Sequence, residues 1–312
     1  MRKGVIIESL IKEHVIIDLE TKKKIIAQAK GKLKFNKSKE KNDQNANYSK
    51  IKIGDLVLYE FKENKFLIDS ILPRKNMLTR PNISNITQVF LVFSLVKPKF
   101  RFKLLDKFLL ILKKFKIKII LIFTKVDLIT EEELFLFKKK IFYYEKFLSI
   151  IYINCKQKKE LKYLYPLFKN EVTIFAGQTG VGKSTLINSL TSLNLKTQEI
   201  SEYLNRGKHT TKNSKLFFFH EGYIADTPGF SKLDLLNFKI EEIKNFYEDF
   251  LIFAKECFFG SSCLHINENN CKVKEAYQKK LISSIRYHNY LFFIEEIKKN
   301  KKKFDYFNKT EK

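Results

Sequence analysis

The stretch Gly177-Gln-Thr-Gly-Val-Gly-Lys-Ser-Thr185 decides the fold of this chain. It matches the phosphate-binding pattern G-x-x-x-x-G-K-[ST], whose glycines let backbone N–H groups surround the α- and β-phosphates of a nucleotide. Lys183 is predicted to reach the β- and γ-phosphates, and the Ser184 hydroxyl to ligate Mg²⁺. The apolar run 172–176 predicts a buried strand before the loop, and 184–190 predicts a helix whose N-terminus faces the anion.

A chance glycine-rich turn is the alternative for the bare pattern, and the flanking strand and helix argue against it. We therefore assign nucleotide binding to the whole phosphate loop, which consists of Gly177, Gln178, Thr179, Gly180, Val181, Gly182, Lys183, Ser184 and Thr185.

A second motif, Thr124-Lys-Val-Asp127, directly follows the predicted strand 118–123. A carboxylate at the end of a strand can accept hydrogen bonds from N1 and N2 of guanine, a donor pair that adenine lacks. Asp127 is thus predicted to specify GTP, and the aliphatic stem of Lys125 is predicted to cover the face of the base. Thr124 and Val126 are assigned to the same GTP-binding segment. By itself the pattern is also typical of a helix N-cap that follows a lysine. The segment 154–156 ends the next strand, where a contact with guanine O6 is expected.

A third motif, Asp226-Thr-Pro-Gly229, follows the strand-like run 223–225. Asp226 is predicted to hold Mg²⁺ through water, and the Gly229 N–H to bond the γ-phosphate. D-T-P-G is also a common turn sequence. The intervening Gly207-Lys-His-Thr-Thr211 offers a threonine hydroxyl for Mg²⁺, from Thr210 or Thr211. We assign it to Thr210, so that the predicted magnesium ligands are Ser184, Thr210 and Asp226.

The order of these motifs is unusual for a GTPase. In Ras-like GTPases the T/N-K-x-D element follows the phosphate loop, whereas here it precedes the loop, which predicts a circularly permuted GTPase domain. Where Ras-like proteins carry a water-orienting Gln after D-x-x-G, this chain has Phe230. Intrinsic hydrolysis is therefore expected to be slow. His209 is the candidate catalytic residue, and a surface histidine without a catalytic role is the alternative.

The charge of the chain indicates a polyanionic partner. Lys+Arg number 60 against 34 Asp+Glu, a formal net charge of +26, which favours nucleic acid or an anionic membrane surface. Only six of the basic residues are Arg, which favours phosphate contact over base reading, although coding bias towards Lys is an alternative explanation of the excess of Lys.

No apolar run approaches the length of a membrane span and the start has no signal-peptide pattern, so a cytoplasmic protein without membrane partners is expected.

The regions before the phosphate loop predict two different folds. Residues 1–72 contain about five short β-branched runs and a polar tract, 36–50, which is typical of a small OB-type barrel; a barrel without a ligand is the alternative. The segment 73–81 is expected to be a linker. From residue 87 strands alternate with helices, which predicts an α/β domain with a mostly parallel sheet and helices at 103–115, 131–147 and 159–168.

The C-terminal region combines helical spacing over 240–256 with a cysteine-rich segment. Three of the four cysteines and one histidine follow the spacing C-x5-C-x-H-x5-C, which predicts a structural tetrahedral zinc site of Cys257, Cys263, His265 and Cys271, with one zinc per chain. Buried thiols without a metal are the alternative. The Lys-rich residues 298–312 are either a solvated end or an RNA contact.

Together these motifs resemble the RsgA (YjeQ) family of GTPases that depend on the small ribosomal subunit, over nearly the whole chain. Further points of likeness are Pro73-Arg-Lys-Asn, Arg80-Pro81 and Arg286-Tyr-His-Asn-Tyr290. Thr124 stands where many members have Asn, the first cysteine spacing is x5 where x4 is expected, and Glu268-Asn269 stands for Glu-Pro. The resemblance implies an OB-fold RNA-binding domain at 1–75, a circularly permuted P-loop GTPase domain at 76–235 and a mostly helical zinc-binding domain at 236–312.

In function, the resemblance implies a late assembly factor that binds GTP or GDP with Mg²⁺, contacts the 30S subunit and its 16S rRNA as a monomer, and hydrolyses GTP when the subunit stimulates it. Two other classes stay open: a GTP-binding RNA chaperone with little turnover, and a permuted GTPase that acts on the large subunit.

Overall fold

The computed structural model describes residues 1–10, 12–35, 50–78, 82–192, 215–226, 235 and 238–310, with the backbone alone at 32–35, 192, 226 and 302–310. The chain forms two compact units. The first comprises 1–98, 120–129 and 150–231, and the second comprises 99–119, 130–149 and 232–312. Among the described residues, no helix is both long enough and apolar enough to cross a bilayer.

The N-terminal strands close into a barrel, as the sequence predicts. Five strands pair in the order β1-β2-β3-β5-β4. Apolar residues facing inward fill the barrel, and along 56–60 buried and less buried residues alternate, as expected of a strand with one buried face. Its core consists of Ile6, Ile16, Ala27, Val57, Tyr59, Ile68 and Ile71. The strands are β1 (Arg2–Ser9), β2 (Glu13–Asp18), β3 (Lys24–Phe35), β4 (Leu56–Lys62) and β5 (Lys65–Ile71).

The linker predicted after the barrel is wrong over 73–78, because this segment is fixed in place. The guanidinium of Arg74 pairs with the buried carboxylate of Asp55, at 2.6 Å from Nε to Oδ1 and 2.7 Å from Nη2 to Oδ2. Ser84 Oγ donates to the same carboxylate at 2.6 Å. The short strands β6 (Met77–Leu78) and β7 (Ile83–Ser84) pair antiparallel. Residues 79–81, including Arg80 and Pro81, lie outside the described residues.

The predicted α/β sheet is confirmed and has six strands in the order β10-β9-β8-β11-β13-β12. Strand β11 runs parallel to β8 and to β13, and β12 runs antiparallel to β13. The strands are β8 (Gln88–Ser94), β9 (Lys118–Thr124), β10 (Ser149–Tyr152), β11 (Val172–Ala176), β12 (Lys215–Phe219) and β13 (Gly222–Asp226). The helices along this part of the chain are α1 (Phe102–Lys114), α2 (Glu131–Ile141), α3 (Lys158–Lys162) and α4 (Lys183–Ser192).

Two of the predicted helices in this region are shorter than expected. Helix α2 begins with a capping box between Thr130 and Glu133, and it ends at Ile141, where the chain continues as a 3-10 turn, Phe142–Lys146. Helix α3 ends early and a separate 3-10 turn covers Tyr165–Phe168. Pro166 explains the second break, since proline offers no N–H to a helix and its ring clashes with the preceding turn.

The C-terminal region is helical, as predicted. The expected helix 240–256 is divided into α5 (Ile240–Ile243), a 3-10 turn (Lys244–Phe246) and α6 (Glu248–Ala254). Tyr247 takes an extended conformation between them. Helices α7 (Lys272–Gln278) and α8 (Ser284–Thr310) follow, and α8 includes part of the Lys-rich end.

A buried ion network stabilises the second unit. Arg286 on α8 is 1% exposed, and its guanidinium lies 2.9 Å from Asp106 on α1 and 2.9 Å from Asp249 on α6. Asn289 and Tyr144 donate to the other oxygen of Asp106 at 2.6 and 3.1 Å. Burial nevertheless raises the pKa of Asp106, so its ionised form depends on the guanidinium.

We expect Arg286→Met to destabilise this unit by about 3–5 kcal/mol, because it leaves two buried carboxylates without their cation. Chemical denaturation followed by far-UV circular dichroism measures the change. Arg101→Met, which removes an exposed arginine from the same unit, is the control and should leave stability nearly unchanged. A loss of less than about 1 kcal/mol in Arg286→Met would contradict the assigned role of the network.

Candidate functional site

The phosphate loop connects the end of β11 to the start of α4, and its glycines are required by the backbone. Gly177, Gly180 and Gly182 have φ angles of 141°, 82° and 100°, in the region that side chains disfavour. A Cβ on Gly177 would lie 2.2 Å from the carbonyl oxygen of Val92. A side chain at Gly177 is therefore excluded by a direct clash, and side chains at Gly180 and Gly182 are disfavoured by the backbone angle.

Lys183, the first residue of α4, bends back over the loop. Its ammonium donates to the carbonyl oxygens of Gly177 at 2.8 Å and Gln178 at 2.7 Å, and burial lowers its pKa. Ser184 and Thr185 are exposed on the first turn of α4. Three apolar residues fix the helix in the core below, namely Leu186, Ile187 and Leu190. A helix N-terminus held in this way attracts anions through its free N–H groups and its dipole.

The predicted guanine segment lies directly against the phosphate loop. Thr124 Oγ1 donates to the carbonyl oxygen of Val181 at 2.5 Å, so threonine at this position keeps a bond to the loop. Lys125 has a φ of 62°, and its ammonium donates to the carbonyls of Gly180 at 2.9 Å and Lys97 at 2.5 Å. Two motifs that are distant in sequence therefore form one continuous surface.

Asp127 lies in a 3-10 turn, Val126–Leu128, that follows this segment. Its Oδ2 accepts from the Lys156 ammonium at 2.8 Å, and the Asp127 side chain is 20% exposed. That hydrogen bond lowers the pKa of Asp127, so the carboxylate is ionised at neutral pH. Sequence reasoning placed 154–156 near the base but missed this pairing, because the spacing of the residues gives no signal for it.

The predicted magnesium and catalytic groups are described only in part. Asp226 ends β13, and Ala225 is in register with Ile174 of β11, which places the Asp226 backbone one strand away from the start of the phosphate loop. The side chain of Asp226 is not described. The other predicted groups, Gly229, His209 and Thr210, lie outside the described residues, as do Thr211 and Phe230.

A separate cluster brings together Cys257, Cys263, His265 and Cys271. All four side chains are buried, and their candidate ligand atoms lie within 4.8 Å of one another. The Cys257 and Cys271 sulfurs are 3.9 Å apart, and His265 Nδ1 lies 3.7 and 3.4 Å from those sulfurs. Tetrahedral zinc, with bonds of about 2.3 Å to sulfur and 2.0–2.1 Å to nitrogen, requires separations of about 3.8 and 3.6 Å. The cluster therefore fits a metal ion of this kind, with Cys257 included.

The protonation of the cluster also fits a metal site. Burial raises the pKa of Cys271 to about 12 and lowers the pKa of His265 to about 4. An imidazole held neutral is already in its ligand form, whereas the thiols need a bound cation to become thiolates.

The motif 286–290 supports the loop that carries His265. Tyr287 donates its hydroxyl to the carbonyl of His265 at 2.9 Å, and Tyr290 donates to that of Leu264 at 2.5 Å. Glu268 accepts from the N–H groups of Leu264 and Ile266, each at 2.7 Å. These bonds hold the segment 264–266, which carries the candidate ligand His265, in a fixed orientation, a role that sequence reasoning did not assign.

Comparisons with known proteins agree with this geometry. A family model described as "RsgA GTPase" matches residues 71–236, and one described as "50S ribosome-binding GTPase" matches residues 172–306. The chain is 54% identical to "Small ribosomal subunit biogenesis GTPase RsgA" of Phytoplasma mali (strain AT) over 303 residues, which cover 97% of this chain and 98% of the relative. The protein of the same name from Shouchella clausii (strain KSM-K16) is 38% identical over 255 residues, covering 81% and 87%.

Two solved structures share the fold. YjeQ from Thermotoga maritima superimposes with a TM-score of 0.78 at 29% identity, over 95% of this chain and 98% of that one. YloQ, described as a circularly permuted GTPase, gives the same TM-score and identity over 96% of each chain. The permuted motif order, the contacts between the phosphate loop and residues 124–125, and these matches lead to one conclusion: the chain is a GTP hydrolase of the RsgA family.

Proposed function

We propose that this GTPase acts in the late assembly of the small ribosomal subunit and that the subunit stimulates its hydrolysis of GTP. The observation that carries the proposal is the contact between the phosphate loop and the segment 124–127, made through Thr124 and Lys125, on a chain with a formal net charge of +26. A relative that matches 97% of this chain is named a small ribosomal subunit biogenesis GTPase. The expected partner is 16S rRNA, bound mainly through phosphates, by a monomer in the cytoplasm.

These residue roles are assigned from the sequence motifs. The phosphate loop and residues 124–127 hold GTP or GDP, with the Gly229 N–H on the γ-phosphate. Ser184, Thr210 and Asp226 hold Mg²⁺, which neutralises charge on the phosphates. The cluster of three cysteines and His265 holds one structural zinc ion. The division into three domains, with boundaries at 75/76 and 235/236, remains a prediction. The two compact units of the structure each combine segments from more than one of these domains.

Two other functions are separable by binding and turnover. An RNA chaperone would bind GTP and the subunit without stimulated phosphate release. A factor for the large subunit, suggested by the name of the second family model, would co-sediment with isolated 50S rather than 30S particles. We expect co-sedimentation with 30S that weakens steeply as salt rises, because each phosphate contact releases counterions.

The decisive experiment measures GTP hydrolysis with and without purified 30S subunits, for the wild type and for His209→Ala. We expect strong stimulation of the wild type. In His209→Ala, GTP and 30S binding should persist while stimulated turnover falls roughly ten- to a thousandfold, the range for loss of a group that positions water or moves a proton.

His288→Ala, which removes an exposed histidine, is the matched control and should keep wild-type turnover. Near-wild-type stimulated hydrolysis in His209→Ala would remove His209 from catalysis. Hydrolysis that 30S subunits leave unchanged would overturn the proposed function itself.

A further inference from the structure

Helix α2 presents large apolar side chains to solvent. Phe135 is 56% exposed and Leu136 is 48% exposed, and Phe142, in the 3-10 turn that directly follows the helix, is 64% exposed. Of the 11 residues of the helix, only Ile141 is buried. Single exposed apolar side chains are ordinary on a protein surface, whereas three on one short segment indicate a contact surface.

The exposed side of α2 is distinct from the side that packs on the protein. Leu134 and Phe137 are half-buried and Ile141 is buried, at the spacing of an inward-facing helix side. Residues three or four positions apart share one side of a helix. The opposite, exposed side is therefore formed by Glu132, Phe135, Leu136 and Lys139. We call these four residues the α2 face.

The charges of α2 are symmetric about the middle of this face. Three glutamates open the helix and three lysines close it, and the midpoint of the two groups falls between Phe135 and Leu136. The two groups are Glu131, Glu132, Glu133 and Lys138, Lys139, Lys140. This order favours the dipole of a single helix, but the dipole gives no reason for exposed apolar side chains between the two groups.

An antiparallel copy of the same helix accounts for both features. It would set the glutamates of each copy opposite the lysines of the other, with apolar side chains meeting in the middle. Contacts of this kind repeat themselves about a two-fold axis, so one surface serves both copies. The α2 face is therefore complementary to itself.

A second copy suits this face better than an RNA or a membrane surface does. Helix α2 carries three acidic and three basic residues, on a chain whose formal net charge is +26. Its acidic first turn would repel a phosphate-rich partner, whereas two copies that meet here bring no local excess of like charge together. A helix of this length spans only about 16 Å, so the contact is smaller than that of a permanent dimer and the association is transient.

We propose that the free protein pairs with a second copy of itself through the α2 face, in a two-fold antiparallel arrangement. Glu132 of each copy lies opposite Lys139 of the other, and Phe135 and Leu136 fill the centre. In the single chain the ammonium of Lys139 lies 4.3 Å from the centre of the Phe135 ring and covers it. In the pair this ammonium turns to the carboxylate of the other copy, which uncovers the ring. The pairing concerns protein that is not bound to a ribosomal subunit and does not depend on the proposed function.

The test is sedimentation velocity of the full chain over about 5–500 µM, a range that covers transient association. The sedimentation coefficient of the wild type should rise with concentration. Lys139→Glu replaces two opposite-charge pairs by two like-charge pairs, and each exposed pair changes an equilibrium constant by about 1.5- to 5-fold. The association constant should therefore fall at least about fivefold. Glu132→Lys should weaken it to a similar extent.

A mixture of these two variants gives the sharpest result. Each variant alone carries one sign of charge on the α2 face, so each should stay largely monomeric. Mixed in equal amounts, they should associate at least as strongly as the wild type, because every pair across the contact is then opposite in sign. A protein that carries both changes, Glu132→Lys and Lys139→Glu, should also pair with itself, which a parallel arrangement would not allow.

Lys158→Glu is the matched control, since it makes the same change of charge at an exposed lysine outside α2. It should associate as the wild type does. All the altered side chains are exposed, so melting temperatures close to the wild-type value should show that each variant is folded. A wild type that stays monomeric over the whole range, single variants that associate like the wild type, or a mixture that does not recover association would each overturn the inference.

Discussion

Replacement of Lys183 by alanine should abolish tight GTP binding. The ammonium is placed to make charge-assisted hydrogen bonds to two phosphates, each worth about 1.5–3 kcal/mol. Part of the binding free energy from these two bonds is offset, because Lys183 gives up its bonds to the carbonyls of Gly177 and Gln178 when it binds the phosphates. A loss of affinity of at least about a hundredfold is therefore expected. Fluorescence titration with a GTP analogue measures it.

The control for this variant is Lys158→Ala, which removes one exposed positive charge near the same edge of the sheet. It should bind GTP as the wild type does. The thermal stability of Lys183→Ala should also stay close to that of the wild type, because water can reach the carbonyls that the ammonium leaves. Wild-type affinity in Lys183→Ala would show that the phosphate loop is assigned wrongly.

Removal of the metal should unfold the C-terminal region around the cysteine cluster. Three buried thiols and an imidazole lie close together there, and a bound cation is what would hold the thiols as thiolates. Structural zinc sites contribute about 10–16 kcal/mol of apparent binding free energy, which is available only to the folded state. Elemental analysis should find about one zinc per chain, and a strong chelator should lower the melting temperature sharply.

The fourth cysteine provides a matched control. Cys155 lies outside the cluster, so Cys155→Ala should keep its zinc and its melting temperature near the wild-type values. Cys271→Ala should lose both. A metal-free protein that keeps a folded C-terminal region, judged by resistance to proteolysis, would contradict a structural role for the ion.

Much of this protein is determined by short segments that sequence alone reveals. The phosphate loop, the permuted order of the motifs and the cysteine spacing each depend on residues close together in the chain. Short apolar and β-branched runs likewise predict the strands of the barrel and of the sheet, and their alternation with helical patterns predicts the α/β domain. The ends of the helices are less predictable from sequence. Pro166 indicates the break within the predicted helix 159–168, whereas no residue indicates the break at Tyr247 within the predicted helix 240–256.

Only the tertiary structure decides which distant side chains meet. Arg74 pairs with Asp55, so a presumed linker is fixed in place, and Arg286 joins Asp106 and Asp249 in one buried network. Lys156 reaches Asp127 because strands β9 and β10 are neighbours in the sheet, which places the turns that follow them side by side. The spacing of residues along the chain does not predict such pairings, because they depend on the order of the strands in the sheet. They also depend on burial, since a buried charge without a partner is destabilising.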